Sequence, residues 1–313
     1  MTRNTKIFLG ACIASFALWL FLNSGMTALR QQFSSRAAAV EQPEETGPEL
    51  KPGILSPDIQ TKSAFVMYVA SDNARYMLFV KEAEQKLPIA SLTKLMTALV
   101  AMQFYGPEEN IVVSLRAIQE EGDQGELFEG QNITAHDILY PLLLESSNDA
   151  AAALAEHKET QTFMNRMNQK AVELGLVQTS FVNPTGLDPV GSSDGAEPAL
   201  NMSSAQDLAL LVIAIKNEYP EILDISALPK FGPYTNTDEL ARSNGWQTKV
   251  LGGKTGWTDL AKGSLILVLQ SPESIEGQSP ENKGYVVYVI LGAENRFQEM
   301  KKLVDWTHEA YAW

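Results

Sequence analysis

The sequence predicts an α/β domain in which an antiparallel sheet, assembled from distant parts of the chain, is flanked by helices and carries an inserted helical subdomain at about residues 105–215. Three observations carry this expectation. Short apolar runs rich in β-formers lie at 64–70 (AFVMYVA) and 76–80 (YMLFV), and again at 264–270 (SLILVLQ) and 285–291 (YVVYVIL). Between them the pattern is helical, most of all from about 134 to 217. The chain has 313 residues, 45% hydrophobic and 20% charged, an ordinary globular composition long enough to bury a sizeable core.

At the amino end, residues 7–21 (IFLGACIASFALWLF) are almost wholly apolar, and no charge intervenes between Lys6 and Arg30. About 20 such residues cross a bilayer as one helix, so residues 1–30 are expected to form a signal-anchor or transmembrane helix. Arg3 and Lys6 favour a cytoplasmic amino terminus and a single-pass protein whose body lies outside the cytoplasm. The rival is a cleaved signal peptide and a secreted body; Ala37-Ala38-Ala39 offers small residues, though far from the apolar core. Leu9-Gly10-Ala11-Cys12 resembles a lipoprotein box but sits too early, which leaves Cys12 as an apolar residue of the span. Residues 31–60, with Pro43, Pro48 and Pro52 among glutamates, read as an extended tether. The folded body is expected over 61–313.

Within the body, 64–70 and 76–80 are separated by the turn-type cluster Ser71-Asp72-Asn73-Ala74-Arg75 and read as a β-hairpin. A helical stretch follows Pro88, from Ser91 to about Phe104. Thr134, with Asp137 three residues later, resembles a capping-box start. The runs at 264–270 and 285–291 read as buried strands, and 294–311 as an amphipathic terminal helix. Acidic residues outnumber basic ones 38 to 24, a net charge of −14, and such a field repels phosphate backbones, so nucleic acid is not expected as a partner. One cysteine and three scattered histidines, His136, His157 and His308, leave no material for a thiolate zinc site or a histidine-rich metal site, and no metal or cofactor is expected.

The chemistry concentrates in three short strings. In Ser91-Leu92-Thr93-Lys94 a lysine follows a serine by three residues, a spacing that shares one helix face. A neutral lysine amine can take the proton that makes a serine hydroxyl a poor nucleophile. An ordinary lysine loses its proton only near about pH 10.4, so neutrality close to pH 7 asks for burial and a second cation nearby. In VLGGKTGWTD (250–259), Lys254 and Thr255 could hold a substrate carboxylate on an edge strand, with Gly256 admitting a close backbone approach; Lys254 is also a candidate for that second cation. Two Ser-x-Asn strings compete for the third role. Ser71-Asp72-Asn73 sits in the hairpin turn, where such residues are turn formers. Ser146-Ser147-Asn148 lies between apolar helical runs, where a polar break suits a hydroxyl that relays a proton and an amide that holds a carbonyl.

These strings, in order, resemble the serine D-Ala-D-Ala carboxypeptidases, the low-molecular-mass penicillin-binding proteins. Besides PIASLTKLMTA (88–98) and SSNDAA (146–151), the likeness runs through FVNPTGLD (181–188), SAQDLA (204–209) and KTGWTD (254–259). The resemblance implies a β-lactamase/transpeptidase-like fold. It implies Ser91 as acylated nucleophile, Lys94 as general base and Ser146 as proton relay. Asn148 would contact the substrate amide, and Lys254, Thr255 and Gly256 would form the carboxylate-binding strand. The backbone N–H groups of Ser91 and Trp257 would form the oxyanion hole. The implied substrate is a peptidoglycan stem peptide ending in D-Ala-D-Ala, with β-lactams as inhibitors and no cofactor.

Two departures stand out. The family often has Ala-Gly soon after its Lys-Thr-Gly strand, whereas Ala261 is followed here by Lys262 and then Gly263. The string 236–240 (NTDEL) resembles a family Asn-Thr-Asn-x-Leu string with Asp238 in the third place. Competing functions are a D,D-endopeptidase that cuts cross-links with the same residues, and a non-catalytic penicillin-binding wall sensor. A β-lactamase would want a Glu-x-x-Leu-Asn string after Ser146. The acidic stretch at 120–123 reads as a solvated loop, His136 and His157 as solvated or cap-like, and the strings beginning at Asn132 and Asn201 as a helix cap and a loop-to-helix entry.

Overall fold

The structure, a computed structural model, describes residues 47–122, 126–189, 199–243, 248–272 and 284–313. The apolar run at 7–21 lies outside them. Among the described residues no helix is long and apolar enough to cross a membrane. The body opens with strands β1 (Ser63–Val69) and β2 (Arg75–Lys81). It continues through helices α1 (Lys94–Phe104), α2 (Leu139–Leu143), α3 (Asn148–His157), α4 (Thr160–Glu173), α5 (Ala205–Glu218), α6 (Glu221–Ser226) and α7 (Glu239–Arg242). It returns as β3 (Val250–Thr258), β4 (Lys262–Gln270) and β5 (Tyr285–Ala293), and reaches α8 (Arg296–Ala310). The five strands form one antiparallel sheet in the order β3-β4-β5-β1-β2. The sheet of distant segments with helices inserted between them is therefore present.

The continuous apolar runs of β1, β4 and β5 follow from strands covered on both faces, where both sets of alternating side chains need an apolar partner; in edge strand β2 only Leu78 is buried, and Met77 and Val80 are exposed. Phe65, Met67 and Val69 of β1 join Val287 and Val289 of β5 in the core shared with α1 to α6. Ala64, Val66 and Tyr68 join Val286, Tyr288 and Ile290 in the core under α8. Helix α3 is alanine-rich and starts where Ser147 Oγ accepts the Ala150 N–H at 3.1 Å. Its alanines favour helix and let it lie close to its neighbours.

Three expectations are corrected. Residues 47–60, read as part of the tether, pack on the body: Glu49–Leu50 pairs with Tyr311–Ala312, Ile59 is buried, and Trp306 Nε1 donates to the Leu55 carbonyl at 2.7 Å. Their proline content suits an extended path, but Ile54 and Ile59 supply anchors the composition obscured. The helical stretch expected from Ser91 divides into a 3-10 turn, Ala90–Thr93, and α1 from Lys94. Asp137 N–H does donate to Thr134 Oγ1 at 3.0 Å, yet Asn132–Thr134 is a strand paired with Asn110–Val112 and α2 begins only at Leu139. The capping-type bond there closes a turn, while β-branched Ile133 and Thr134 pair across strands.

Candidate active site

The site forms where the 3-10 turn before α1, the break before α3 and edge strand β3 meet. Ala90 holds φ 47°, a left-handed conformation unfavourable for a residue with a Cβ, and such strain concentrates at functional positions. Thr93 Oγ1 ties the turn by donating to the Ala90 carbonyl at 2.8 Å. With about three residues per turn, positions i and i+3 eclipse, so Lys94 lies over Ser91, its Nζ 2.9 Å from Ser91 Oγ. Lys94 is 0% exposed. Its amine also donates to Asn148 Oδ1 at 2.7 Å and to the Thr185 carbonyl at 2.7 Å.

The Thr185 carbonyl is placed by its own loop. Asn183 Oδ1 accepts from Gly186 N at 2.7 Å and Thr185 Oγ1 at 3.1 Å, and Thr97 Oγ1 of α1 donates to the Pro184 carbonyl at 2.7 Å. Gly186 has φ 85°, and a Cβ there would stand 2.0 Å from the Ala90 carbonyl oxygen. Only glycine lets this loop lie against the turn that carries the serine. Buried Asn201 secures it further: Oδ1 accepts from Val182 N and Asn183 N, and Nδ2 donates to the Asn183 carbonyl at 2.8 Å and Thr93 Oγ1 at 2.9 Å.

Ser146 has φ 62° and ends α2's segment, while its neighbour Ser147 caps α3. This left-handed residue aims its hydroxyl at β3, where Lys254 Nζ donates to Ser146 Oγ at 2.8 Å and to the Thr255 carbonyl at 3.0 Å. Thr255 Oγ1 is 2.7 Å from Thr237 Oγ1. Strand β3 lies directly on the serine turn, since a Cβ on Gly256 would stand 3.0 Å from the Ile89 carbonyl oxygen and 3.3 Å from Leu92 N. The structure therefore brings together Ser91, Lys94 and Asn148 in one hydrogen-bonded group, and Ser146, Lys254 and Thr255 in another. The chain from Ser146 to Asn148 joins them. Ser71-Asp72-Asn73 is an exposed hairpin turn in which Asp72 Oδ1 accepts from Ala74 N.

The electrostatics favour an uncharged amine at Lys94. Burial holds its pKa well below the ordinary lysine value, positive charge on Lys254 lowers it further, and Glu120 opposes. Burial likewise pushes Lys254 down to about 7; Asp238 opposes this and Arg296 adds to it. The stretch read as a solvated loop thus faces the site: Glu120 bears on Lys94, and the Glu121 carbonyl accepts from Asn148 Nδ2 at 2.6 Å. Thr185, Asn201 and Thr237 also join the site; Thr185 and Thr237 lie in strings that resemble the family, 181–188 and 236–240, but none of the three is given a role in the site by the sequence alone. Trp257 is 56% exposed, and Lys262 sits at the β3–β4 turn with φ 58°. No group of three or more His, Cys, Asp or Glu side chains able to hold a metal occurs among the described residues.

The sequence profile of the D-alanyl-D-alanine carboxypeptidase family, peptidase S11, matches residues 51–274. The chain belongs to this family. Its class is that of the serine D,D-peptidases. A D-alanyl-D-alanine endopeptidase of Escherichia coli is 30% identical over 264 residues, covering 80% of this chain and 78% of the relative. The D-alanyl-D-alanine carboxypeptidase DacF of Bacillus subtilis is 30% identical over 257 residues, 75% of this chain and 59% of the relative. Penicillin-binding protein D2 of Listeria monocytogenes, solved with ampicillin bound, superposes with a TM-score of 0.63 at 26% identity, covering 81% of this chain and 99% of that one.

Proposed function

We propose that this family member is a serine D,D-carboxypeptidase that removes the terminal D-Ala from peptidoglycan stem peptides through an acyl-enzyme. The observation that carries the reading is the set of three partners around Lys94 Nζ. A neutral amine has two N–H groups and one lone pair. The two carbonyl oxygens, Asn148 Oδ1 and Thr185 O, take the N–H groups, which leaves the lone pair for the Ser91 hydroxyl proton. Ser91 Oγ then bonds to the penultimate D-Ala carbonyl carbon as Lys94 takes the proton. The backbone N–H groups of Ser91 and Trp257, in the roles implied by the resemblance, would stabilise the oxyanion. Ser146 would pass a proton to the leaving D-Ala nitrogen as the C–N bond breaks, and Lys254 with Thr255 would hold the terminal carboxylate. Water hydrolyses the ester and returns Ser91.

The body would act outside the cytoplasm, tethered by the apolar run at 7–21. A second reading is favoured by one finding: relatives from Escherichia coli and Pseudomonas aeruginosa, both 30% identical, are D-alanyl-D-alanine endopeptidases. Digestion of cross-linked muropeptides separates the two, since free D-Ala marks a carboxypeptidase and newly released monomers mark an endopeptidase. The shared chemistry is tested by intact mass after incubation with a labelled penicillin. One stable adduct is expected, absent in Ser91→Ala; an adduct retained in that variant would overturn the assignment.

A further inference from the structure

One buried carboxylate has no part in the reaction above. Asp238 is 1% exposed. Its Oδ1 accepts from Leu240 N at 2.9 Å and caps α7, but its Oδ2 has no hydrogen-bond partner. That oxygen faces the back of β3: a Cβ built on Gly253 would stand 3.1 Å from it. Gly253 directly precedes Lys254, and successive strand residues point to opposite faces. Lys254 leaves the other side of the strand towards Ser146. The neighbouring Thr237 hydroxyl meets Thr255 Oγ1, so the Asp238 segment is fastened to the same strand.

We propose that Asp238 is a positioning residue for the reaction, a negative charge behind the edge strand that acts through Lys254 and decides over what pH range the carboxylate-binding end of the cleft is positively charged. An unpaired buried carboxylate oxygen is costly unless opposite charge stands near. Lys254 supplies it from β3 and Arg296 from the start of α8; the Arg296 Nε is likewise buried without a partner. Glu239 adjoins and acts on Arg296, and Lys94 faces Lys254 from the other direction. Burial raises Asp238 to about 6 against the pull of the Leu240 and Ala241 N–H groups, Lys254 and Arg296. The attraction of Asp238 in turn keeps Lys254 from falling below about 7. The pair thus passes from neutral acid and ammonium below about 6, through a window with both charged, to carboxylate and neutral amine above about 7. Asparagine, found at this place in the resembled family string, would cap α7 as well but hold no charge.

This inference rests on Lys254 being the carboxylate-binding cation of the proposed reaction, and the test separates the two. The full chain and its Asp238→Asn variant are assayed on an N-acylated tripeptide ending in D-Ala-D-Ala, with KM and kcat measured from about pH 5 to 9. In the native protein 1/KM is expected to fall through about pH 7, the value burial gives Lys254. In Asp238→Asn the fall moves about one pH unit lower. Near pH 8 the variant's KM then rises about tenfold while kcat changes less than about twofold. An unmoved fall in KM, with only a lower melting temperature, reduces Asp238 to a helix cap and overturns the inference alone. A native profile with no fall in 1/KM overturns both the inference and the role given to Lys254. If Asp238→Asn does not fold, Asp238→Ser, also an uncharged helix cap, decides: the same downward move of the fall in 1/KM is expected, and an unmoved fall overturns the inference.

Discussion

At the scale of single residues, the proposed reaction makes its most sharply defined demand on Lys94, to be an uncharged amine with its lone pair on a serine hydroxyl. Lys94→Arg keeps a cation in place but cannot give up its proton, and kcat/KM is expected to fall about 10²–10⁴-fold, measured by penicillin acylation rate. The free-enzyme pH profile follows with its signs. Lys94 must be neutral, so kcat/KM rises with pH to a midpoint well below the ordinary lysine value. Lys254 must be protonated, so kcat/KM falls again as pH climbs through about 7. A bound carboxylate favours the ammonium form, and the descending limb of kcat should lie at higher pH than that of kcat/KM. Ser91, Lys94, Ser146 and Lys254 were legible because each requires a particular side chain within a short string. Thr185 and Glu121 were not, since they contribute main-chain carbonyls, and any residue type supplies one. Glu120 was hidden by its company: an acidic run reads as solvent-facing until folding turns one member inward.

At the scale of elements, the site depends on a loop, a turn and a strand lying closer than side chains would allow. Gly186→Ala places a Cβ 2.0 Å from the Ala90 carbonyl oxygen at a φ of 85°. A loss of roughly 2–5 kcal/mol is expected from the denaturant midpoint. Acylation should slow as well, because the displaced loop takes the Thr185 carbonyl from Lys94. Asn201→Ala strips three hydrogen bonds from the same loop and one from Thr93 of the serine turn and is expected to cost roughly 2–4 kcal/mol through buried donors left unsatisfied. Strands β1, β4 and β5 were readable from apolar runs, since burial on both faces leaves few polar positions in them, whereas β2 keeps its apolar run with Met77 and Val80 exposed. The split between a 3-10 turn and α1 was not, because apolar periodicity barely distinguishes the two over four residues. It matters little to the chemistry: either geometry puts the amine above the hydroxyl, and so the spacing argument survived a change of helix type.

At the scale of the whole molecule, the sheet holds together segments from opposite ends of the body, and the antiparallel order β3-β4-β5-β1-β2 brings β5 against β1. That order could not be read from local pattern, because register and adjacency are set by pairings across some 200 residues of intervening chain. The short pairing of Glu49–Leu50 with Tyr311–Ala312, with Lys51 N donating to the Ala310 carbonyl at 2.8 Å, leaves positions 47 and 313 of the body side by side. A short Gly/Ser bridge between Trp313 and Gly47 should therefore close the body into a ring without strain, and new ends can be cut at the exposed Asp72-Asn73 bend. Such a circular permutant is expected to fold and still take up one penicillin per chain by intact mass: the order in which the segments are joined would be exchangeable, while their meeting place would not.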